Sequence, residues 1–120
     1  MIMCIFCDII SKKIPSHVVY ENDDVIAFRD TNPKAPVHML IVPKTHIPSV
    51  NDITPNNALT ATAMFLAAPA VARLAGVADG YKLALNVGRK GGQVVDHLHA
   101  HLLGWPEHAE GMEQKEVLSV

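Results

Sequence analysis

Three histidines at every second position, His97, His99 and His101 in Asp96-His97-Leu98-His99-Ala100-His101-Leu102-Leu103-Gly104, constrain this chain more than any other stretch. Strict alternation of polar and apolar residues is the pattern of a half-buried β-strand. The three imidazoles are therefore expected on one face, with Leu98, Ala100 and Leu102 in the core behind them. A rise of about 3.3 Å per residue puts alternate Cα atoms roughly 6.6 Å apart, so neighbouring rings can converge on a group the size of a phosphate. Imidazole titrates near neutrality and serves as base, acid, nucleophile or metal ligand. Positive charges at that spacing repel, so at least one ring stays neutral and keeps a free lone pair.

The 120 residues suit one domain with a modest core, read as residues 1–104 followed by a polar, acidic and partly ordered tail over 105–120. A net charge of −2 gives no basic patch, which argues against nucleic acid as a partner, since neutralising phosphates needs clustered Lys and Arg. The segment Met1-Ile2-Met3-Cys4-Ile5-Phe6-Cys7-Asp8 has no positive n-region before a long apolar run, so no signal peptide is read and a cytoplasmic location is expected. The two cysteines, Cys4 and Cys7, close too small a loop to staple a fold. A redox motif, two zinc ligands or no special role remain open. A redox motif needs a strand upstream for which there is barely any chain, and half a zinc site fits better but needs two further ligands.

Residues 7–13 read as a short helix with Ile9 and Ile10 inward, stopped before Pro15. Residues 17–21 and 25–30 form a hairpin signal, 31–36 a loop, and 37–42 a third strand on which His38 alternates with Leu40. Thr54-Pro55 is expected to open a long helix and Gly76 to close it. Its span from Ala58 to Ala75 is almost wholly apolar, but Arg73, the threonines, the alanine run and an interruption at Pro69 argue against a membrane crossing. One small sheet covers only one side of such a helix; either a second copy of the chain covers the other, or that side is an ordinary exposed alanine-rich face. Residues 81–87 alternate as a fourth strand. The turn Gly88-Arg89-Lys90-Gly91-Gly92-Gln93 then leads into the histidine strand, its glycines allowing backbone N–H groups to approach an anion and its Arg89 and Lys90 adding positive charge.

Taken together, Ile5-Phe6-Cys7, Phe28-Arg29-Asp30, Ala35-Pro36-Val37-His38, Pro43-Lys44-Thr45-His46, Gly91-Gly92-Gln93 and His97 to Leu103 resemble the histidine triad superfamily, in its Hint-like branch of nucleotide-binding phosphoramidases. The resemblance implies an α+β fold with a five-stranded antiparallel sheet, one long and one short helix, and a homodimer whose long helices pack across the interface. It implies His99 as nucleophile on the α-phosphorus of a purine nucleoside 5′-phosphoramidate, through a nucleotidyl-histidine that water hydrolyses. A backbone carbonyl holding its Nδ1–H would present Nε2 to phosphorus. His101 would hydrogen-bond the phosphate and pass a proton to the departing amine, with His38 in support. Asn86 and the backbone of Gly92, Gln93 and Val94 would hold phosphate oxygens, Asp30 the ribose hydroxyls, and Ile5, Phe6, Ile9, Phe28 and Thr31 the purine. With no pair of carboxylates beside the triad, hydrolysis without Mg²⁺ is expected.

The same resemblance implies a structural zinc held by Cys4, Cys7, His46 and His97, a closed set with no place for a bound water. That arrangement needs the first triad histidine to swing aside from its strand neighbours. Two departures from the Hint-like pattern stand out. Val94 replaces a serine that contacts phosphate, and Trp105-Pro106 follows Gly104 where many relatives have another glycine and an arginine. Two alternatives to a phosphoramidase are a dinucleoside polyphosphate hydrolase of the fragile-histidine-triad kind, and a nucleotide-binding adaptor in which hydrolysis is incidental.

Overall fold

Val25, Ile26 and Phe28 on one strand and Val37, Ile41 and Val42 on its neighbour favour extended backbone. In the computed structural model, which describes residues 4–106, β2 (Val25–Arg29) pairs antiparallel with β3 (Val37–Pro43), Val25 lying opposite Pro43 and Arg29 opposite Met39. β1 (Val18–Glu21) adds to the outer edge of β2 with an irregular register between Val18 and Tyr20. Beyond β3 lie β5 (Ala100–Gly104) and then the short β4 (Lys82–Ala84), giving a five-stranded antiparallel sheet in the order β1-β2-β3-β5-β4.

Every residue of β3 is buried, because both faces of the sheet are covered. On one face Met39, Ile41, Ala100 and Leu102 pack with Met64, Ala68, Val71 and Ala72 of the long helix α2 (Ala58–Leu74). On the other, Ile26, Phe28, Leu40 and Val42 pack with Phe6 and Ile9 of the short helix α1 (Ile5–Ile10). Leu40 lies opposite His101 in the β3–β5 register, so alternation puts His38 and His101 on the α1 face.

α1 starts earlier than the sequence suggested, at Ile5 rather than Cys7, because Cys4 caps it: Cys7 N–H donates to Cys4 Sγ at 3.3 Å. Ile9 is buried and Ile10 partly so. α2 starts later, at Ala58. Thr54 does not cap it; the Asn57 carboxamide instead turns back to accept from Thr54 N–H at 2.7 Å, and Thr54 to Asn57 form a separate turn ahead of the helix. Pro69 does not interrupt α2. Pro69 and Phe65 both lie on its exposed side, where water can take up the carbonyl that the proline ring leaves without an N–H donor. The helix ends as expected, with Gly76 at φ +79° and Val77 N–H reaching back to the Ala72 carbonyl at 2.9 Å.

The alternating histidine stretch is only half a strand. β5 begins at Ala100, and the chain bends through 95–97 before it, so His97 and His99 precede the ladder. Among the described residues no helix is long and apolar enough to cross a membrane. The tail expected over 105–120 lies outside the described residues, apart from Trp105 and Pro106.

Candidate functional site: a cluster of neutral imidazoles beside a Cys2His2 set

The bend before β5 sends the three alternating histidines in different directions. His99 is 7% exposed, and its Nδ1–H donates to the His97 backbone carbonyl at 2.7 Å. Nε2 is thereby left with its lone pair and no hydrogen bond to any described residue. The Phe6 ring stands edge-on to His99 with centroids 5.0 Å apart, and the His101 ring centroid is 5.1 Å from that of His99.

His101, on β5, faces His38, on β3, across the strand pair. The Lys34 backbone N–H donates to His38 Nδ1 at 2.9 Å, which puts the proton of neutral His38 on Nε2. That Nε2–H donates to His101 Nδ1 at 2.9 Å, so the proton of neutral His101 sits on its outer nitrogen. Asp30 approaches the same His38 Nε2 at 3.4 Å, which makes Asp30, His38 and His101 one polar group.

Burial is the first cause that lowers the affinity of all these rings for a proton. It holds His38 and His99 below the usual imidazole range, although Asp30 pulls both upward. His101 goes furthest, to about 4, because His99 and His38 add like-charge repulsion to desolvation. At neutral pH the cluster therefore consists of uncharged rings, one with a free lone pair and one with an outward N–H.

His97 turns the opposite way. Its Nε2–H donates to the Pro43 carbonyl at 2.8 Å, leaving Nδ1 free to face Cys4 Sγ at 3.4 Å, Cys7 Sγ at 3.6 Å and His46 Nδ1 at 3.0 Å. Cys7 Sγ and His46 Nδ1 are 3.4 Å apart. A tetrahedral ion at roughly 2.0–2.3 Å from each donor holds its donors about 3.3–3.8 Å from one another. These four atoms, all within 4.8 Å, could hold a metal ion. The Pro43 carbonyl fixes the tautomer that a metal-binding His97 needs.

The remaining sequence-predicted residues divide. Phe6, Ile9 and Phe28 come together in one buried cluster, and Asp30 lies half-buried beside the imidazoles. Ile5 and Val94 are 49% and 78% exposed, and Thr31 is exposed on the 31–36 loop. Asn86 Nδ2 donates to the Gly91 carbonyl at 2.8 Å, and Gly92 sits at φ +91° against the Asn86 carboxamide, close enough that an added Cβ would touch it at 3.4 Å.

Gln93 has a role that its sequence context did not reveal. Its side chain is 3% exposed, donates to the carbonyls of Pro48 and Val95 at 2.7 and 2.9 Å, and accepts from Gly88 N–H at 2.9 Å. It staples both ends of the glycine-rich turn. Arg89 corrects a second expectation: its guanidinium is tied to Asp96 at 2.9 and 3.0 Å and to the Gln93 carbonyl, so its charge is already balanced. The two residues are seven apart, and nothing in their spacing indicated the pair.

A five-stranded antiparallel sheet with this imidazole cluster on one face defines the histidine triad class of hydrolases. The chain belongs to the HIT family: the model of the HIT domain matches residues 11–108. It is 48% identical over 101 residues to the purine nucleoside phosphoramidase of Escherichia coli K12, covering 83% of this chain and 85% of that protein. Protein HitA of Neisseria gonorrhoeae is 43% identical over 103 residues, which is 86% of this chain and 96% of HitA. Among solved structures, a HIT family hydrolase from Clostridium thermocellum superposes with a TM-score of 0.83 at 43% identity, over 93% of this chain and 98% of that one. Cys4 and Cys7 precede the matched family span.

Proposed function

We propose that this hydrolase cleaves purine nucleoside 5′-phosphoramidates or closely related nucleoside monophosphate derivatives through a nucleotidyl-histidine at His99. The observation that carries the reading is the tautomer of His99: with Nδ1–H held by the His97 carbonyl, Nε2 is an uncharged, pre-aimed nucleophile. The similarity to a purine nucleoside phosphoramidase over most of both chains supports the substrate class.

The bound phosphate is an anion beside His101 and favours that ring's charged form, so substrate loads the proton the reaction needs. His99 Nε2 bonds to phosphorus as the P–N bond breaks, and its electron pair leaves with nitrogen, which takes the proton from His101. Water then attacks phosphorus, gives its proton to His101 and returns the electron pair to His99. Asn86 and the backbone of Gly92 to Val94 hold phosphate oxygens, Asp30 the ribose hydroxyls, and Ile5, Phe6, Ile9, Phe28 and Thr31 the base. Imidazoles and backbone N–H groups stabilise the charge, and the step requires no Mg²⁺.

A structural Zn²⁺ at Cys4, Cys7, His46 and His97 is part of the proposal. It would tie the start of α1 to the turn after β3 and to the bend that carries the His97 carbonyl. Homodimerisation through α2 is another part. Leu59, Phe65, Leu66 and Leu74 are 83, 49, 74 and 64% exposed on that helix, an apolar surface suited to a second copy.

Three experiments test the reading. A slow phosphoramidate analogue should label His99, and His99→Ala should lose at least 10³-fold in kcat while still binding nucleoside monophosphate. Turnover of diadenosine triphosphate in preference to adenosine phosphoramidate, or a label on another side chain, would refute it.

A further inference from the structure

α1 has six residues, too short to persist as an isolated helix, so its place depends on what grips it. Among the described residues no backbone hydrogen bond joins residues 4–14 to the sheet. Side chains hold it instead. Phe6 and Ile9 pack into one cluster with Phe28 and Leu40. Lys12 pairs with Glu21 at 2.8 Å on the surface, where an ion pair contributes little. At the start of the helix, Cys4 and Cys7 face His46 and His97, partners 39 to 93 residues away along the chain.

The two sulfurs are also placed to bond to each other. Cys4 is the N-cap of α1, Cys7 lies in its first turn, and their Sγ atoms are within 4.8 Å. Both thiols are free and partly buried. Cys4 and the exposed His46 line a cleft of about 420 Å³ between α1 and the 94–96 segment, which gives a small disulfide a way in. A bond from Cys4 to Cys7 spans three residues, whereas a metal bridge from the same sulfurs reaches up to 93 residues along the chain. The two cross-links exclude each other, because an ion at this site takes the sulfurs as thiolates and a disulfide has none to give. Exchanging the long bridge for the short one frees α1 from His46 and His97.

We infer that Cys4 and Cys7 form a thiol–disulfide latch on α1: as thiolates they fasten the helix to His46 and His97 through a metal ion, and as a disulfide they let it go. The inference rests on the zinc reading for the fastened state, and on the placement of Phe6 and Ile9 at the base for its consequence. The oxidant is a low-molecular-weight disulfide. One thiolate attacks it, forming a mixed disulfide and expelling one small thiolate. The other thiolate attacks the protein sulfur of that mixed disulfide, closing the Cys4–Cys7 bond and expelling the second small thiolate. The cysteine pair gives up two electrons and the small disulfide takes them. His46 and His97 alone then hold the ion too weakly to keep it. α1 loosens, and with it the Phe6 and Ile9 wall of the base site.

The test treats the full chain, purified with its zinc, with an excess of glutathione disulfide. Release of about one zinc per chain to a chromogenic chelator is expected, with a Cys4–Cys7 disulfide in the peptide mass spectrum. Amide hydrogen exchange across residues 5–10 should speed up. The Kd for adenosine monophosphate should rise about tenfold, the scale expected when a cross-link over a long loop gives way to one over a short loop. Dithiothreitol with added zinc should reverse every change. Cys7→Ser should be loose from the start and unresponsive to the disulfide. Zinc-loaded protein that keeps its thiols, or that oxidises with α1 protection or nucleotide affinity unchanged, overturns the latch and leaves the zinc reading standing. A wild-type chain that takes up no zinc overturns both.

Discussion

Gln93 gives the sharpest test of how the glycine-rich turn is built. Truncation to Ala removes three hydrogen bonds, to Pro48, Val95 and Gly88, at a site that is 3% exposed. At about 1 kcal/mol net for each, the loss is about 3 kcal/mol. A domain of this length has roughly 6–18 kcal/mol of stability, so Gln93→Ala still folds. With a urea slope of about 2 kcal/mol/M, its unfolding midpoint should fall by about 1.5 M. Gln93→Glu sharpens the argument. It keeps an acceptor for Gly88 N–H but sets oxygens against two carbonyls, and burial raises its pKa above the unfolded value of about 4.3. Protonation restores one donor. The folded carboxyl holds its proton more tightly than the unfolded one, so the destabilisation of Gln93→Glu relative to wild type should shrink as pH falls from 7 towards 4.3. Urea titrations of both variants across that range, read by circular dichroism, check this. A Gln93→Ala protein within 0.5 kcal/mol of wild type would show that the turn does not depend on the staple.

Three further outcomes follow. His101 takes up its proton near 4 in the folded chain and near 6.5 unfolded, so its contribution is present above 6.5 and lost as pH falls through 4. Allowing for the solvent contact the ring retains, that is about 2 kcal/mol, read as the difference in urea stability between wild type and His101→Asn at pH 7 and pH 4; a pH-independent difference contradicts it. Protein purified without chelator or polyhistidine tag should contain about one zinc per chain, and Cys7→Ser should lose it and melt about 10 °C lower; metal-free wild type of unchanged Tm rules the site out. Leu59→Asp with Leu66→Asp should convert a dimer to a monomer in sedimentation velocity, and a wild type that sediments as a monomer dismisses the α2 interface.

The local pattern of the chain was enough to give the element types, because burial on one face imposes period two on strands and an apolar stripe on helices. The hairpin, the third strand and the pairing of histidines with apolar neighbours were all legible that way, and the glycine stop at Gly76 marked the end of α2. The starts of both helices were not legible. Thr54 looked like the cap of α2, but its Oγ1 accepts from Asn56 N–H and the Asn57 carboxamide accepts from Thr54 N–H within a separate turn, and the fold around that turn decides where the helix proper begins. The candidate residues of the site came from motifs scattered from Ile5 to Leu103, and neither their partners nor their directions followed from spacing.

The sequence by itself determined that several imidazoles stand close together on a small α+β scaffold, since residue type and alternation are local properties. The tertiary structure alone decided that the chain bends before Ala100, so that His97 faces two cysteines while its carbonyl orients His99. It alone joined Lys34, His38 and His101 into a chain of hydrogen bonds, and spent the Arg89 charge on Asp96. Tautomer, protonation and charge balance depend on burial and on partners distant in sequence, and these exist only once the sheet has formed.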